Sequence, residues 1–196
     1  MQWNDWPPRD ASLMAGYELW RDGRLSEAQS FFEERMRSQP EDADVRRGLG
    51  NVSWSRKDFV SALRYYSQAL RLEPWNPMHW GNMGLARRDL GQPEAAISAF
   101  RVALGLDPLY APALNEWANV LFDMERYEEA LPLYNASLAI DDGRAVVYHN
   151  KGVCLRHMGR LNEAVRHFRA ALELEPGYRY SQEELQRLAF ANLSPA

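Results

Sequence analysis

The residues of this chain that could perform chemistry are four histidines and one cysteine: His79, His149, His157, His167 and Cys154. His149 and His157 are eight residues apart, whereas two metal ligands on one face of a helix are three or four apart. Cys154 lies in the middle of a predicted helix without a nearby catalytic constellation, which is typical of a small core residue. We therefore interpret the histidines as ordinary residues of helix surfaces, and we predict no metal site, no cofactor and no catalytic residue.

Two further patterns have structural explanations. Gly81 and Gly84 fall inside a predicted helix, whereas a glycine-rich phosphate loop follows a strand. The acidic pairs Glu128–Glu129 and Glu183–Glu184 fit the first turns of helices, where carboxylates interact favourably with the helix dipole. The sequence therefore favours a protein that is not an enzyme.

The composition excludes several other classes. The chain has 196 residues, of which 46% are hydrophobic and 26% charged, as in ordinary soluble globular proteins. A net charge of −4 argues against the basic face that binds nucleic acid. The apolar runs are too short to span a membrane. Since the N-terminus lacks the features of a secretory signal, we expect a cytoplasmic protein.

A period of 34 residues organises most of the chain. An alanine recurs at Ala28, Ala62, Ala96, Ala130 and Ala164. Four residues later comes an aromatic residue: Phe32, Tyr66, Phe100, Tyr134 and Phe168. Twelve residues before the alanine comes a small residue: Gly16, Gly50, Gly84, Ala118 and Gly152. Twelve residues after it comes a residue that turns the chain: Pro40, Pro74, Pro108, Asp142 and Pro176. These columns define five blocks: 9–42, 43–76, 77–110, 111–144 and 145–178.

The blocks resemble the tetratricopeptide repeat. GNMGLARRDLGQPEAAISAFRVALGLDPLY (81–110) and HNKGVCLRHMGRLNEAVRHFRAALELEPGY (149–178) are similar to that family's motif over nearly its full length. The resemblance implies an all-α fold, a right-handed α-α superhelix (solenoid) of five helix–turn–helix repeats. It also implies a function in binding other proteins. It does not identify the partner, because the motif residues are structural.

The columns also have a physical meaning of their own. We number each block from 1 to 34. In the first helix of a block, positions 4, 7, 8 and 11 share one face. In the third block these are Trp80, Met83, Gly84 and Arg87. The small residues at positions 8 and 20 allow close approach of helices, and the aromatic residue at position 24 fills the space between them. Proline at position 32 ends the second helix, and Asn76–Pro77 predicts a capped helix start.

The two ends lie outside the repeats. Residues 1–8 carry Trp3 and Trp6, and they form either an unstructured leader or an arm that docks on the repeats. Residues 179–196 follow the last block, and we expect residues 179–190 to be helical. Within them, the spacing of Ser181 and Glu184 predicts a capping box. Three apolar residues then predict a helical cap packed on the fifth block: Leu185, Leu188 and Ala189.

In the tetratricopeptide family, positions 2, 5, 9, 12 and 13 of the first helices line the concave side, and position 6 flanks them. Carried over to this sequence, the resemblance implies a peptide-binding groove lined by Tyr17, Trp20, Arg47, Asn51, Trp54, Asn82, Leu85, Arg88, Asn115, Asn119, Phe122, His149, Asn150, Val153 and Arg156. We name these residues the first-helix face.

Two features of the first-helix face point to a ligand. Asparagine alternates between positions 9 and 6: Asn51, Asn82, Asn119 and Asn150. An amide can donate to and accept from a peptide backbone, and the pattern resembles the asparagine ladders of some tetratricopeptide proteins. Large aromatic residues at position 12 would be costly to expose without a partner: Trp20, Trp54 and Phe122. The alternative is that asparagine is common at these positions and that long neighbours shield the rings.

The sequence does not match the tetratricopeptide domains that bind heat-shock chaperones. Tetratricopeptide domains that bind the acidic C-termini of heat-shock chaperones use basic residues and asparagines, and Arg47, Asn51 and Asn82 match the first part of that pattern. The next block presents Pro112 and Glu116 where basic residues are needed, and Glu116 would repel a carboxylate.

The sequence therefore predicts an adaptor or scaffold that binds an extended or helical segment of another protein, whose identity it leaves open. One alternative is a homo-oligomeric scaffold whose groove is filled by a neighbouring copy. The other is the regulatory part of an enzyme complex. No nucleic acid and no membrane-spanning segment are expected.

Overall fold

The computed structural model describes residues 10–191, and the side chains up to Ala189. Within that range the chain forms eleven α-helices and no strand, so the predicted all-α fold of tandem helix–turn–helix repeats is confirmed. The predicted N-terminal arm, residues 1–8 with Trp3 and Trp6, lies outside the described residues.

The chain divides into two compact units at Tyr110. The first unit contains a 3-10 turn at Ala11–Leu13 and the helices α1 (Met14–Arg21), α2 (Leu25–Ser38), α3 (Ala43–Ser55), α4 (Phe59–Leu72), α5 (Pro77–Asp89) and α6 (Pro93–Leu106). The second unit contains α7 (Ala111–Asp123), α8 (Tyr127–Ile140), α9 (Ala145–His157), α10 (Leu161–Leu174) and α11 (Arg179–Ala191). The odd-numbered helices α1 to α9 are the first helices of the blocks, and each packs against the even-numbered helix that follows it, whereas α11 packs against α10.

Each block encloses its aromatic residue between its two helices, as the sequence predicts. A Cβ atom added at Gly84 would lie 2.5 Å from Cε1 of Phe100, and one added at Gly50 would lie 2.3 Å from Cε1 of Tyr66. The alanine column is fully buried in every block. Close packing of this kind explains why these positions hold small residues.

Capping residues set the helix starts. Asn76 Oδ1 accepts from the Met78 backbone N–H at 3.1 Å, and Pro77 is the first residue of α5, which confirms the predicted start. Asp42 caps α3 and Asp58 caps α4 in the same way. Such caps pair backbone donors that the first turn of a helix leaves free.

The turn inside each block has a left-handed residue at position 15. Glycine occupies it with φ of 75° at Gly23, 71° at Gly91 and 73° at Gly159. In the other two blocks Lys57 and Glu125 adopt the same conformation, with φ of 61° and 60°. A residue with a Cβ atom is strained there, whereas glycine is not.

Replacing Lys57 or Glu125 by glycine should therefore stabilise the protein. We expect each change to raise the free energy of unfolding by about 0.5–1 kcal/mol, because relief of the strain exceeds the added entropy of the unfolded chain. Urea unfolding of each variant measures the effect. The reverse change, Gly91→Ala, is the control and should lower stability by a similar amount. Loss of stability in Lys57→Gly would contradict this account of the turn.

Residues 179–190 are helical, as predicted, but the helix does not begin at the predicted capping box. Since α11 starts at Arg179, Ser181 and Glu184 lie inside it, and the predicted capping box is wrong. Glu183 and Glu184 are likewise outside the first turn. The reason is the 34-residue period, which places Arg179 at position 1 of a further block, so that α11 takes the place of a first helix.

The packing of α11 follows from that register. Leu185 and Leu188 pack against the core around Phe168, whereas Ala189 is exposed rather than part of the predicted stripe. The buried hydroxyl of Ser181 lies 3.0 Å from Nδ1 of His149. These contacts fix α11 on the last complete block.

Candidate binding face

Most of the first-helix face in the first unit is buried. Arg88 and Trp54 are half-buried, and the other six residues are almost inaccessible to solvent: Tyr17, Trp20, Arg47, Asn51, Asn82 and Leu85. The face in this unit is therefore largely a packing surface between successive first helices.

The large residues at position 12 join successive blocks. Trp20 Nε1 donates to Ser55 Oγ and Trp54 Nε1 donates to Asp89 Oδ2, each at 2.7 Å. In the second unit the ring of Phe122 stands edge-on to that of His157, with centroids 5.2 Å apart. Each pair links position 12 to position 13 of the next block. These aromatic residues are therefore used in packing between blocks, which favours the alternative that neighbouring side chains shield the rings.

The asparagines at position 9 are partners of tyrosines. Tyr66 Oη donates to Asn51 Oδ1 at 3.0 Å, and Tyr134 Oη donates to Asn119 Oδ1 at 2.7 Å. A buried hydroxyl requires such a partner. The sequence carries this signal, because the three blocks with phenylalanine at position 24 have no asparagine at position 9. They have Tyr17, Leu85 and Val153.

The asparagines at position 6 complete the same arrangement. Asn82 Nδ2 donates to Asn51 Oδ1 at 3.4 Å, and Asn150 Nδ2 donates to Asn119 Oδ1 at 3.1 Å. Asn150 Nδ2 also lies 3.4 Å from Asn115 Oδ1. We name each set of one tyrosine and two asparagines, at positions 24, 9 and 6, a Tyr–Asn–Asn triad.

Both triads leave the same two atoms without a hydrogen-bond partner among residues 10–191. They are Nδ2 of the position-9 asparagine and Oδ1 of the position-6 asparagine. In the first unit these atoms, on Asn51 and Asn82, are buried. In the second unit Asn119 and Asn150 are only half-buried. The second triad therefore presents an accessible donor beside an accessible acceptor.

Of the remaining face residues of the second unit, Asn115 is buried, and its Nδ2 donates to Glu116 Oε1 at 2.9 Å. The other four fall into two groups. Phe122 and Val153 are half-buried and offer apolar surface near the triad. His149 and Arg156 contact α11, through Ser181 and through Glu184, whose Oε2 lies 3.0 Å from Arg156 Nε. Those two side chains are therefore used in packing the C-terminal helix.

The first unit contains a buried ionic cluster that the sequence analysis missed. Arg47 is 0% exposed, and its Nε donates to Asp44 Oδ1 at 3.0 Å. Its guanidinium carbon lies 4.5 Å from the ring centroid of Tyr17, and Tyr17 Oη donates to the Asp44 carbonyl at 2.7 Å. His79 is also fully buried, so its interpretation as a surface histidine is wrong.

Burial, followed by the charge of Arg47, lowers the pKa of His79 to about 4, against the opposing effects of Asp44 and Glu73. A histidine whose folded pKa lies below its unfolded value of about 6.5 stabilises the fold while neutral. That contribution is complete above the unfolded pKa. This stabilisation declines as pH falls below the unfolded pKa, because His79 is then protonated in the unfolded chain but stays neutral in the folded protein.

We therefore expect His79 to contribute about 3 kcal/mol to the free energy of unfolding near neutral pH, and most of it to be lost by about pH 4.5. Urea unfolding at several pH values checks this. His79→Gln should flatten the profile in part, since burial also lowers the pKa of His149 and that of His167, the latter to about 4. An unchanged slope in His79→Gln would contradict the assignment.

Cys154 is a core residue, as predicted. It is fully buried in α9, and its Sγ donates to the Tyr127 carbonyl at 3.6 Å. Burial raises the pKa of its thiol to about 11, so the reactive thiolate is scarce at neutral pH. In residues 10–191 no three histidine, cysteine or acidic side chains lie together as metal ligands would. None of the helices in that range is long and apolar enough to cross a membrane.

Comparison with known proteins identifies the repeats. Sequence models of the tetratricopeptide repeat match residues 13–77, 80–108 and 109–175. The chain belongs to the tetratricopeptide repeat family. This confirms the resemblance seen in the repeat columns.

Two curated relatives share the repeats. The chain is similar to the protein CTR9 homolog of Arabidopsis thaliana, with 28% identity over 190 residues, covering 86% of this chain and 17% of the relative. It is also similar to the small glutamine-rich tetratricopeptide repeat-containing protein 2 of Mycosarcoma maydis, with 30% identity over 105 residues, covering 54% of this chain and 30% of the relative. The chain thus spans less than a third of the length of these relatives.

Solved tetratricopeptide structures share the fold. TTC0263, a thermophilic protein of Thermus thermophilus, has a TM-score of 0.79 and 23% identity, covering 93% of this chain and 97% of that one. YrrB, described as a TPR protein with an unusual peptide-binding site, has a TM-score of 0.63 and 21% identity, covering 87% of this chain and 88% of that one. At these identities the likeness concerns the fold alone.

Proposed function

We propose that this protein is an interaction adaptor that binds an extended segment of another protein on the first-helix face of its second unit. A general role as a protein-interaction scaffold is supported by its tetratricopeptide relatives. They include a protein of wheat named Hsp70-Hsp90 organizing protein, with 24% identity over 142 residues. The relatives support only that general role. The binding of an extended segment, and its location on the second unit, are what we add.

The observation that carries the proposal is the second Tyr–Asn–Asn triad. Asn119 Nδ2 and Asn150 Oδ1 have no partner among the described residues, and both side chains are only half-buried. An extended peptide backbone offers a carbonyl oxygen and an N–H group that complement them. Phe122 and Val153 supply apolar contact beside this polar pair. Recognition of this kind depends on the ligand's backbone more than on its side chains.

The proposal also holds that the chain does not catalyse a reaction. Of the side chains that could act as a nucleophile or base, Cys154 and His79 are fully buried. His149 is engaged by Ser181 of α11. A cytoplasmic location remains a prediction from the sequence.

Asn119→Asp tests the proposal, because it replaces Nδ2 by an oxygen while Oδ1 can still accept from Tyr134. Peptides selected from a random display library on the wild-type chain should bind this variant about tenfold more weakly or worse, since one hydrogen bond is lost and a carboxylate then faces a carbonyl oxygen. Fluorescence anisotropy with the selected peptides measures the change.

The matched control is Asn135→Asp, the same chemical change at an exposed site on α8. It should leave the affinity within about twofold. If both variants bound every selected peptide as well as the wild type does, the first-helix face of the second unit would not be the binding site.

A second candidate function is self-association. Trp75 is 64% exposed and Leu109 is 70% exposed, and both occupy position 33, in the turn after the second helix. A contiguous patch of exposed apolar residues is typical of a contact surface between proteins. If they form such a surface, Trp75→Ser with Leu109→Ser should lower the mass measured by sedimentation. A monomeric wild-type protein would exclude this candidate.

A further inference from the structure

A small cleft in the first unit lies apart from the first-helix face. Its volume is about 170 Å³, and residues of α2, α3 and α4 line it. Leu49 and Val52, both buried, contribute the apolar part of the lining. The polar part consists of two arginines, hydroxyl groups, one amide and one carboxylate: Arg56, Arg64, Ser53, Ser61, Tyr65, Gln29 and Asp58.

The amide and carboxylate acceptors of this cleft are already engaged. Gln29 Oε1 accepts from Arg56 Nη1. Asp58 Oδ1 accepts from the Ser61 backbone N–H at 3.0 Å. The hydroxyl and the backbone N–H of Ser61, and then the charge of Arg64, lower the pKa of Asp58, so this carboxylate is ionised and engaged as a helix cap.

Several donors of the cleft are uncommitted. In residues 10–191 no hydrogen bond is made by the side chains of Ser53, Arg64 or Tyr65. Arg64 lies over the ring of Tyr65, with its guanidinium carbon 4.9 Å from the centroid. Uncommitted donors from two helices make the cleft complementary to an acceptor-rich ligand.

The charge balance also favours an anion. Two arginines and one aspartate line the cleft. Arg56 donates to two residues of α2, from Nη1 to Gln29 Oε1 and from Nη2 to Ser26 Oγ, the latter at 3.2 Å. Both acceptors are neutral, so these contacts do not offset the charge of Arg56. The tether also positions the guanidinium, which lowers the entropy lost when a ligand binds.

We propose that this cleft binds a phosphate group, either as inorganic phosphate or as a phosphorylated side chain of a partner protein. A planar carboxylate is satisfied by one arginine fork, whereas here two guanidinium groups and two hydroxyls come from different helices. A phosphate monoester carries about −1.5 to −2 charges and three acceptor oxygens, which can accept from all of them. This site is separate from the proposed peptide site and does not depend on it.

The test uses the full chain and two probes at constant ionic strength. Inorganic phosphate and a short phosphoserine peptide are titrated separately, with the unphosphorylated peptide as reference, and calorimetry measures the affinity. We expect saturable binding of phosphate or of the phosphopeptide. The reference should bind more weakly, and its residual affinity should not change in Arg64→Gln, because it can reach only the peptide site of the second unit. Arg64→Gln should weaken binding by at least about tenfold, because it removes charge-assisted hydrogen bonds. Tyr65→Phe, which removes only a hydroxyl, should weaken it less.

The matched control is Arg71→Gln, the same change at an exposed arginine of α4 outside the cleft, which should bind like the wild type. Tighter binding of the phosphopeptide than of phosphate identifies a protein ligand, and equal affinities identify free phosphate as sufficient. The proposal is overturned if neither probe binds saturably. It is also overturned if Arg71→Gln weakens binding as much as Arg64→Gln does.

Discussion

Replacing Asp44 by alanine should lower the free energy of unfolding by about 3–5 kcal/mol, because it leaves the guanidinium of Arg47 buried without its carboxylate. Arg47 is 0% exposed, and its Nη2 lies 2.9 Å from Asp44 Oδ1. Because Arg47 is buried, water cannot hydrate its guanidinium in place of the lost carboxylate. Chemical denaturation of the variant measures the effect. An exposed aspartate of the same unit, Asp22, gives the control, and Asp22→Ala should change stability by less than about 0.5 kcal/mol.

The double variant Asp44→Ala with Arg47→Met separates the ion pair from the packing. Removing both charges leaves no uncompensated ion, and methionine retains much of the volume of arginine. The double variant should therefore be more stable than Asp44→Ala alone. If the double variant were less stable than Asp44→Ala, Arg47 would stabilise the fold through contacts other than its ion pair with Asp44.

Phe100→Ala should also lower the free energy of unfolding by about 3–5 kcal/mol, because it opens a cavity between α5 and α6. The ring is fully buried and lies so close to Gly84 that a Cβ atom there would be 2.5 Å from Cε1. The exposed Leu106 of α6 provides a matched control, and Leu106→Ala should have a small effect.

A double-mutant cycle tests whether Gly84 and Phe100 form one packing unit. Gly84→Ala alone should cost about 1–3 kcal/mol, since the added methyl group forces the ring to move. In the Phe100→Ala background the same methyl group fills part of the cavity, so it should be neutral or stabilising. Additive effects would show that the two residues do not contact each other. The fourth block combines Ala118 with Tyr134, so a Cβ atom can be accommodated when the surrounding packing is adapted to it.

The columns of the 34-residue period predict the fold because each column has a local physical role. Alanine, glycine and aromatic residues at fixed spacing determine how two helices of one block pack, and Asn76–Pro77 determines where a helix starts. The structure confirms these features. The pairing of Tyr66 with Asn51 could also have been predicted, since tyrosine at position 24 and asparagine at position 9 occur together in this chain.

Contacts between blocks were harder to predict. Trp20 meets Ser55, Trp54 meets Asp89 and Phe122 meets His157, so position 12 has a different partner each time and no single residue type marks the contact. The environment of His79 likewise includes Arg47 and Glu73 from the preceding block. The capping box at Ser181 failed because serine followed three residues later by glutamate can also occur inside a helix, as it does in α11.

The central claim is that the second Tyr–Asn–Asn triad binds the backbone of an extended peptide. The most direct measurement is the affinity of the wild-type chain for one selected peptide and for a series of its derivatives, each methylated on a single backbone nitrogen. Methylation removes one N–H donor and keeps every side chain. We expect methylation at one residue to weaken binding to the wild type by about tenfold or more. Asn150→Ala, which removes the Oδ1 acceptor, should bind the methylated and unmethylated peptides equally. If no methylated position weakened binding, or if Asn150→Ala still distinguished the two peptides, the backbone would not be what Asn150 binds.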